Sequence, residues 1–450
     1  MAIAFGILAL IIITVLFHFM SPWWLTPLAS NWSLPDTNLN LTFLVTGVVF
    51  IALNLFFVWT LVKYRHREGS KAHYEPESKK LEWWLTSVTT VGVVAMLAPG
   101  LWAWARVVDV PDDAEVVEVI GQQWHWSFRF PGEDGVLGQV DVGLMTADNS
   151  FGLKPDDPAG RDDILIAGGE LHLPVDTPYK FVLRSKDVLH NFTVPQFRVK
   201  MDLVPGMTPY AWLTPTRTGR FDILCEELCG IGHFAMRGAV VVDEQAAFDD
   251  WLDDFPTFAQ VLATPAPDVA AGQTLYAVCS ACHGAQGEGN EMLNAPKLTG
   301  QQDWYLKRQL KNFQQGLRGT DASDTFGAQM APMAATLTDE TSLNNVVAYI
   351  TQLPDSAPPA TLNGDVARGE EIFITCQSCH GQEGQGIWSL NAPRLSGVND
   401  WYLARQLENY RQGVRGSHPQ DLYGKQMNLV AGVLREEQAI KDLVAYINTL

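Results

Sequence analysis

Three stretches of the chain are apolar and carry no Asp, Glu, Lys or Arg: Met1 to Met20, Leu39 to Leu61 and Leu85 to Ala105. Each reaches the roughly 20 residues that a helix needs to cross a bilayer. The pattern therefore predicts membrane helices over about 1–20, 39–64 and 82–106. From Glu115 the period changes to two. Trp124, Trp126, Phe128 and Phe130 alternate with His125, Ser127 and Arg129, and Tyr179, Phe181 and Leu183 alternate with Lys180, Val182 and Arg184. This is the signature of strands with one apolar face, and Gly238 to Val242 adds another apolar strand. Glu244 to Phe258 then reads as a short helix with Phe248, Trp251, Leu252 and Phe255 on one face, followed by a linker over Ala263 to Ala270 that holds Pro265 and Pro267.

Behind the linker the sequence repeats with one constant offset of 97 residues. Cys279, Cys282 and His283 return as Cys376, Cys379 and His380, and Asn294-Ala-Pro-Lys-Leu298 returns as Asn391-Ala-Pro-Arg-Leu395. Trp304-Tyr305-Leu306 returns as Trp401-Tyr402-Leu403, and Val347-Ala-Tyr349-Ile350 as Val444-Ala-Tyr446-Ile447. A single offset across so many anchors marks a duplicated domain. Each copy is predicted to be a small helical fold, with one helix entering the Cys-x-x-Cys-His motif, one near Trp304 or Trp401, and a closing helix around Tyr349 or Tyr446. The chain thus divides into a membrane anchor over 1–108, a β domain over 109–262 and two helical domains over 263–355 and 360–450.

Charge orients this arrangement. Lys63, Arg65, Arg67, Lys71, Lys79 and Lys80 lie between the second and third apolar stretches, which places that loop in the cytoplasm and everything after about residue 108 outside. The first stretch lacks the basic start and the small-residue cleavage site of a signal peptide, so a retained span is the preferred reading. The formal net charge is −19, and residues 109–265 hold 26 acidic against 11 basic side chains. An acidic external domain argues against nucleic acid as partner and favours a basic soluble protein.

The candidate chemistry sits in the cysteines. All six belong to motifs: Cys225 and Cys229 in one loop, and two Cys-x-x-Cys-His runs. The latter read as covalent attachment of two c-type haems, with His283 and His380 as proximal ligands. Of the methionines beyond the linker, Met330 and Met427 alone are related by the repeat, which makes them the distal candidates. The loop Cys225-Glu-Glu-Leu-Cys229-Gly-Ile-Gly-His233-Phe-Ala-Met236, with His190 upstream, collects two thiols, two imidazoles and a thioether. A four-ligand zinc leaves Met236 without purpose, and a mononuclear copper leaves one Cys over. Two coppers sharing the thiolates use the whole set; a Cys225–Cys229 disulfide or a zinc knot are the plainer alternatives.

His190-Asn-Phe-Thr-Val-Pro-Gln-Phe-Arg-Val-Lys-Met-Asp202 followed by Cys225-x-Glu227-x-Cys229-x-x-x-His233-x-x-Met236 resembles the dinuclear CuA site of subunit II of haem-copper cytochrome c oxidases. The resemblance implies a Greek-key β barrel of the cupredoxin kind and a copper pair bridged by Cys225 and Cys229. It implies terminal His190 and His233, weak Met236 and a carbonyl ligand from Glu227. It further implies that the Glu227 side chain reaches a magnesium at the boundary with subunit I, that Trp124 is where electrons arrive, and that Glu82 stands at the mouth of a proton pathway. For Glu82 a snorkelling interfacial charge is the plainer reading, and for Trp124 a core residue. The C-terminal pair resembles class I cytochromes c, especially tandem dihaem ones.

These features together imply the subunit II of a terminal oxidase in a bacterial inner membrane, multi-pass, with its folded domains in the periplasm. Its partners would be subunit I, subunit III, membrane lipid and a cytochrome c or other electron donor. The copper subunit of a related nitric oxide reductase and a membrane-anchored electron carrier are the alternatives. The other histidines, His18, His66, His73, His125, His172 and His418, are scattered, so no oxygen-reducing site is expected in this chain.

Overall fold

The computed structural model describes residues 2–21, 26–69, 71, 74, 76–147 and 149–450; Met1 and His73 lie outside the described residues. Three helices, α1 (Ala2–Met20), α2 (Leu34–Lys63) and α3 (Lys79–Val108), are long and apolar enough to cross a membrane. Their large side chains, such as Phe17, Phe56 and Val91, face outward, as a lipid surface requires. The segment after α1 is tied to the β domain: Trp32 Nε1 donates to Trp212 O at 2.7 Å and Ser30 Oγ to Phe197 O at 2.9 Å. Arg198 pairs with Asp36 in the first turn of α2 at 2.7 Å, and Tyr210 and Trp212 donate to carbonyls at the end of α3. The basic loop between α2 and α3 therefore sits at the far end of two 30-residue helices, about 45 Å away at the rise of an α-helix.

The β domain is laid out as two five-stranded sheets. Its strands are β1 (Glu115–Gln122), β2 (His125–Phe130), β3 (Ile164–Ile166), β4 (Leu171–Pro174), β5 (Tyr179–Ser185), β6 (His190–Val194), β7 (Val199–Leu203), β8 (Tyr210–Leu213), β9 (Gly219–Leu224) and β10 (Arg237–Asp243). One sheet runs β3-β2-β1-β5-β8 and the other β4-β10-β9-β6-β7. Val117, Val119, Trp126 and Phe128 from the first interlock with Leu171, Phe192, Ile223 and Val240 from the second in one core. Pairing of Val119 with Phe128 and of Val240 with Phe221 fixes which side chains point inward.

Two expectations change. The polar face of β2 is not solvated, since all six of its residues are buried. Arg129 is fully buried and bonds Glu118 at 2.6 Å and Asp163 at 2.5 Å, while Phe151, Leu153 and Phe258 close over that side as a satellite core. Burial pushes the Asp163 carboxyl up to about 6 against the pull of Arg129. The helix expected over 244–258 is two short ones, α4 (Gln245–Leu252) and α5 (Phe258–Leu262). Pro256 cannot continue a helix, and Thr257 with Gln260 forms a capping box that starts the second.

The helical part comprises α6 (Val269–His283), α7 (Asp303–Gln314), α8 (Thr325–Ala334) and α9 (Glu340–Ile350), then α10 (Val366–His380), α11 (Asp400–Arg411), α12 (Leu422–Ala431) and α13 (Glu437–Ile447). In each domain the first and last helices cross, and a glycine stands at the crossing. A Cβ on Gly272 would lie 2.0 Å from Asn345 O, and one on Gly369 would lie 2.0 Å from Asp442 O.

The buried cluster around Arg129 generates a prediction. Arg129→Ala leaves Asp163 a buried carboxylate without a cation and Glu118 with Arg184 alone, a loss of about 3–5 kcal/mol. Calorimetry on the full chain is expected to show the β-domain transition lowered by on the order of 10 °C, with the helical domains unaffected.

Candidate metal centre and the cavity beside it

The loop between β9 and β10 carries the cysteines, and β6 begins on His190, so the central strands of one sheet deliver all the donors. The donor atoms stand in a row. His190 Nδ1 is 3.9 Å from Cys225 Sγ, Cys225 Sγ is 3.7 Å from Cys229 Sγ, and Cys229 Sγ is 3.4 Å from His233 Nδ1. Met236 Sδ lies 3.8 Å from Cys229 Sγ, and the Glu227 carbonyl 3.3 Å from Cys225 Sγ. His190, Cys225 and Cys229 offer ligand atoms within 4.8 Å of one another, and His233 does not join that group. Ligands of one tetrahedral ion at 2.0–2.3 Å must all lie closer together than that. A row with a thiol at each central position instead fits two metal ions that share the sulfurs. A disulfide is also absent: a sulfur separation of 3.7 Å is far beyond the bond length of about 2.05 Å.

The electrostatics suit metal binding. The neighbouring Cys229 holds the Cys225 thiol well below its ordinary range against burial, with His190 adding to the effect, and Cys229 is correspondingly raised. Burial acts against protonation of His190, yet its bonds to Asp187 and Cys225 raise it. His190 Nε2 and Asp187 Oδ1 are 2.7 Å apart, which leaves Nδ1 turned toward the sulfurs. Trp124, in the turn between β1 and β2, backs the loop. It is 6 % exposed, and its Nε1 donates to Cys229 O at 3.0 Å. A Cβ on Gly232 would fall 2.4 Å from the indole, so the loop can lie this close to the ring only with glycine there. Neighbouring His125 is held neutral, lowered to about 3 chiefly by burial.

Beside the copper-type loop opens an apolar cavity of about 350 Å³. It is lined by Cys279, Cys282, His283 and Met330 of one helical domain, by Cys376, Cys379, His380 and Met427 of the other, and by Trp124. His283 Nδ1 lies 2.7 Å from Pro296 O, and His380 Nδ1 lies 2.7 Å from Pro393 O. A carbonyl only accepts, so each Nδ1 carries the proton and each Nε2 is left basic. Burial lowers both imidazoles below their ordinary range, against the opposing pull of the two proline carbonyls.

Across the domain boundary the arginine contacts return with their partners exchanged. Arg318 donates to Tyr402 and Gln406, and Arg415 to Tyr305 and Gln309; Arg405 reaches Asn294 Oδ1, and Arg308 reaches Asn391 Oδ1. Arg318 and Arg415 line the cavity and are buried, and Arg318 Nε has no partner. Among the described residues neither makes an ion pair with a carboxylate. Buried cations with no carboxylate bonded to them fit a cavity that takes a further anionic group, and the propionates of haem are such a group.

Of the residues singled out in the sequence, His190, Cys225, Glu227, Cys229, His233 and Met236 come together in the loop. The two Cys-x-x-Cys-His motifs with Met330 and Met427 come together in the cavity. Glu82 stands apart in the first turn of α3. Asp187, the carbonyls of Pro296 and Pro393, Arg318 and Arg415 have supporting roles that the sequence reading did not assign. Both prolines lay within the repeated Asn-Ala-Pro segment, which was the available signal. Asp187→Asn should cost 10- to 100-fold in copper affinity, as loss of such an outer partner does; titration against a chelator of known affinity measures it, with haem content as the unaffected control.

The periplasmic domain of cytochrome c oxidase subunit II matches residues 115–244, and cytochrome c matches twice, at 269–354 and 366–450. Over 259 residues the chain is 53% identical to the alternative cytochrome c oxidase subunit 2 of Bradyrhizobium diazoefficiens, covering 58% of this chain and 94% of that one. It is 29% identical over 234 residues to the cytochrome c oxidase subunit 2 of Cereibacter sphaeroides, covering 50% and 76%. Among solved structures, reduced recombinant cytochrome c4 from Pseudomonas stutzeri is 30% identical, covers 41% of this chain and 100% of its own, and superposes with a TM-score of 0.34. With the β domain that supplies copper-type ligands and the paired domains that supply Cys-x-x-Cys-His, the chain belongs to the cytochrome c oxidase subunit II family and carries two cytochrome c domains behind it.

Proposed function

We propose that this chain is the electron-input subunit of a membrane-bound terminal oxidase, passing electrons from an external donor through two covalently bound c-type haems to a dinuclear CuA centre and on to a separate haem-copper subunit I that reduces oxygen to water. The observation that carries this reading is the row of donors from His190 to His233, set directly beside a cavity that holds both Cys-x-x-Cys-His motifs. Copper and haem iron, when bound, take up and release single electrons without making or breaking bonds.

The residues have distinct tasks in this scheme. Cys225 and Cys229 would bridge the coppers, His190 and His233 would close the ends, and Met236 and the Glu227 carbonyl would complete the set. Cys279 with Cys282, and Cys376 with Cys379, would anchor the haems, with His283 and His380 proximal and Met330 and Met427 distal. Deep burial of His190, Cys229 and Met236 excludes water, and the strands that hold them do not have to rearrange. Trp124 is placed to pass electrons to the copper pair, since it touches the Cys229 carbonyl on one side and the second cytochrome domain on the other.

The membrane arrangement supports a multi-pass protein of a bacterial inner membrane with its folded domains in the periplasm. The β domain meets α1, α2 and α3 at one end, and the basic loop lies at the other. Glu82 is then at the cytoplasmic end of α3, where a proton-uptake role fits its position. Leu228, 82 % exposed at the tip of the copper loop, offers an apolar contact to subunit I. Half-buried Glu227 beside it is the residue through which a magnesium ion would be held at that boundary. Subunit III would complete the membrane assembly.

Purification in mild detergent tests the reading. Two coppers and two covalent haems per chain are expected, with a haem-copper subunit and oxygen uptake accompanying them. Cys229→Ser is expected to abolish the copper absorption while both haems remain. A polypeptide without copper, or with fewer than two haems, would end the proposal.

A further inference from the structure

The cytochrome repeat carries one face twice, and only one copy of it is covered. In the second domain Cys379 packs against the apolar core of the β domain. The Ser389 carbonyl accepts from Gln122 Nε2 at 2.6 Å, the Tyr423 ring meets His125 edge-on with centroids 5.2 Å apart, and Gln426 donates to the Trp124 carbonyl at 2.5 Å. Ninety-seven residues earlier the same four positions are Cys282, Met292, Phe326 and Gln329. All four are exposed, Met292 to 90 % and Phe326 to 38 %. The domains are otherwise held by exchanged, matching contacts, so the difference lies in what each face meets.

We propose that this open face of the first cytochrome domain is the seat of the external electron donor, a protein with an apolar centre and a basic rim that delivers one electron per encounter. The inference rests on the relay reading above and adds the place of input and the order of the domains. The matching face already seats a redox domain within this chain, which shows what kind of surface fits it. Charge selects the rim. Of the basic residues in 263–355, Lys297 is paired with Asp355, Lys311 with Glu340, and Arg308 and Arg318 are committed across the domain boundary, which leaves Lys307. Exposed Glu291 adjoins Met292, and exposed Glu288 folds back over Gly284 beside the Cys282 motif. An acidic border around an apolar patch steers a cationic partner.

In the step itself the donor loses one electron and is oxidised, and the first domain gains it and is reduced; no bond changes and no proton has to move. The second domain then delivers, because its equivalent face lies on the β domain at Trp124. Trp124 itself is 6 % exposed, so a free carrier does not reach it.

The test uses the full chain assembled with its catalytic partner and, as probe, a basic single-haem cytochrome c. Met292→Lys and the pair Glu291→Lys/Met292→Lys place positive charge on the face at side chains that do not line the cavity. For the pair, binding of the probe at low salt is expected to weaken roughly tenfold, with the second-order rate of reduction falling alongside it. Haem content, mass in solution and oxygen uptake driven by a small phenylenediamine donor are expected to stay as in the parent. Met292→Lys alone, at a side chain almost fully exposed, should show a smaller change of the same sign and covers the case where the pair misfolds. Unchanged binding and rate in both variants would overturn the proposal, as would a parent mass that halves in the variants, since a second copy of the chain would then occupy the face. A parent complex that binds the probe here, and loses it in the variants, but passes no electron to oxygen would defeat the relay reading and leave the docking face standing.

Discussion

Two sulfur atoms held 3.7 Å apart without bonding to each other are what the surrounding structure is built to maintain. Thiols so close readily collapse into a disulfide unless the backbone carrying them is prevented from closing the last distance. Here β9 and β10 pin both ends of the loop through pairs such as Leu224 with Arg237. Trp124 fills the space behind it, against Gly230 and Gly232, where any Cβ would collide with neighbouring side chains. Asp187 fixes the ring of His190 from the far side. Each of these restraints comes from a different segment, so the donor row is a property of the folded domain and not of the twelve-residue loop.

The same residue also meets the second cytochrome domain. Trp124 gives its Nε1 to the Cys229 carbonyl and its own carbonyl to Gln426, so a shift of the second cytochrome domain is felt at the copper loop through one residue. A short linker adds to this. Tethering raises the effective concentration of a partner domain to about the millimolar range, and hydrogen bonds from Gln122 and Gln426 then need to supply orientation more than affinity. In the proposed relay, this turns a chance encounter between two proteins into a standing contact.

Much of this was legible from the chain, for physical reasons that differ by element. The membrane helices and the Cys-x-x-Cys-His motifs are local, and spacing alone specifies them. The ligand loop could be read because soft donors at those intervals have few other uses. The buried side of β2 could not: Arg129 and Ser127 look solvated in a period-two pattern, and only the fold brings Asp163 and Phe151 to cover them. The break at Pro256 was visible in the residue type, yet the apolar spacing of Phe248, Trp251 and Phe255 spoke for one continuous helix. The repeat announced a duplicated domain but not the exchange of partners across it, since Arg318 and Tyr402 are 84 positions apart and neither is remarkable alone.

That exchange has a consequence for how the C-terminal half holds together. Contacts that return with partners swapped make the pair closed on itself, so its two outer faces are alike and a single β domain can satisfy one of them. They also put Arg318 and Arg415 into one apolar cavity, hydrogen-bonded only to neutral amides and phenols. Among the described residues neither guanidinium is bonded to a carboxylate, although buried Asp324 and Asp421 line the same cavity, and a buried charge is tolerated best when an opposite charge pairs with it. In the proposed relay the propionates of two bound haems would add that opposite charge.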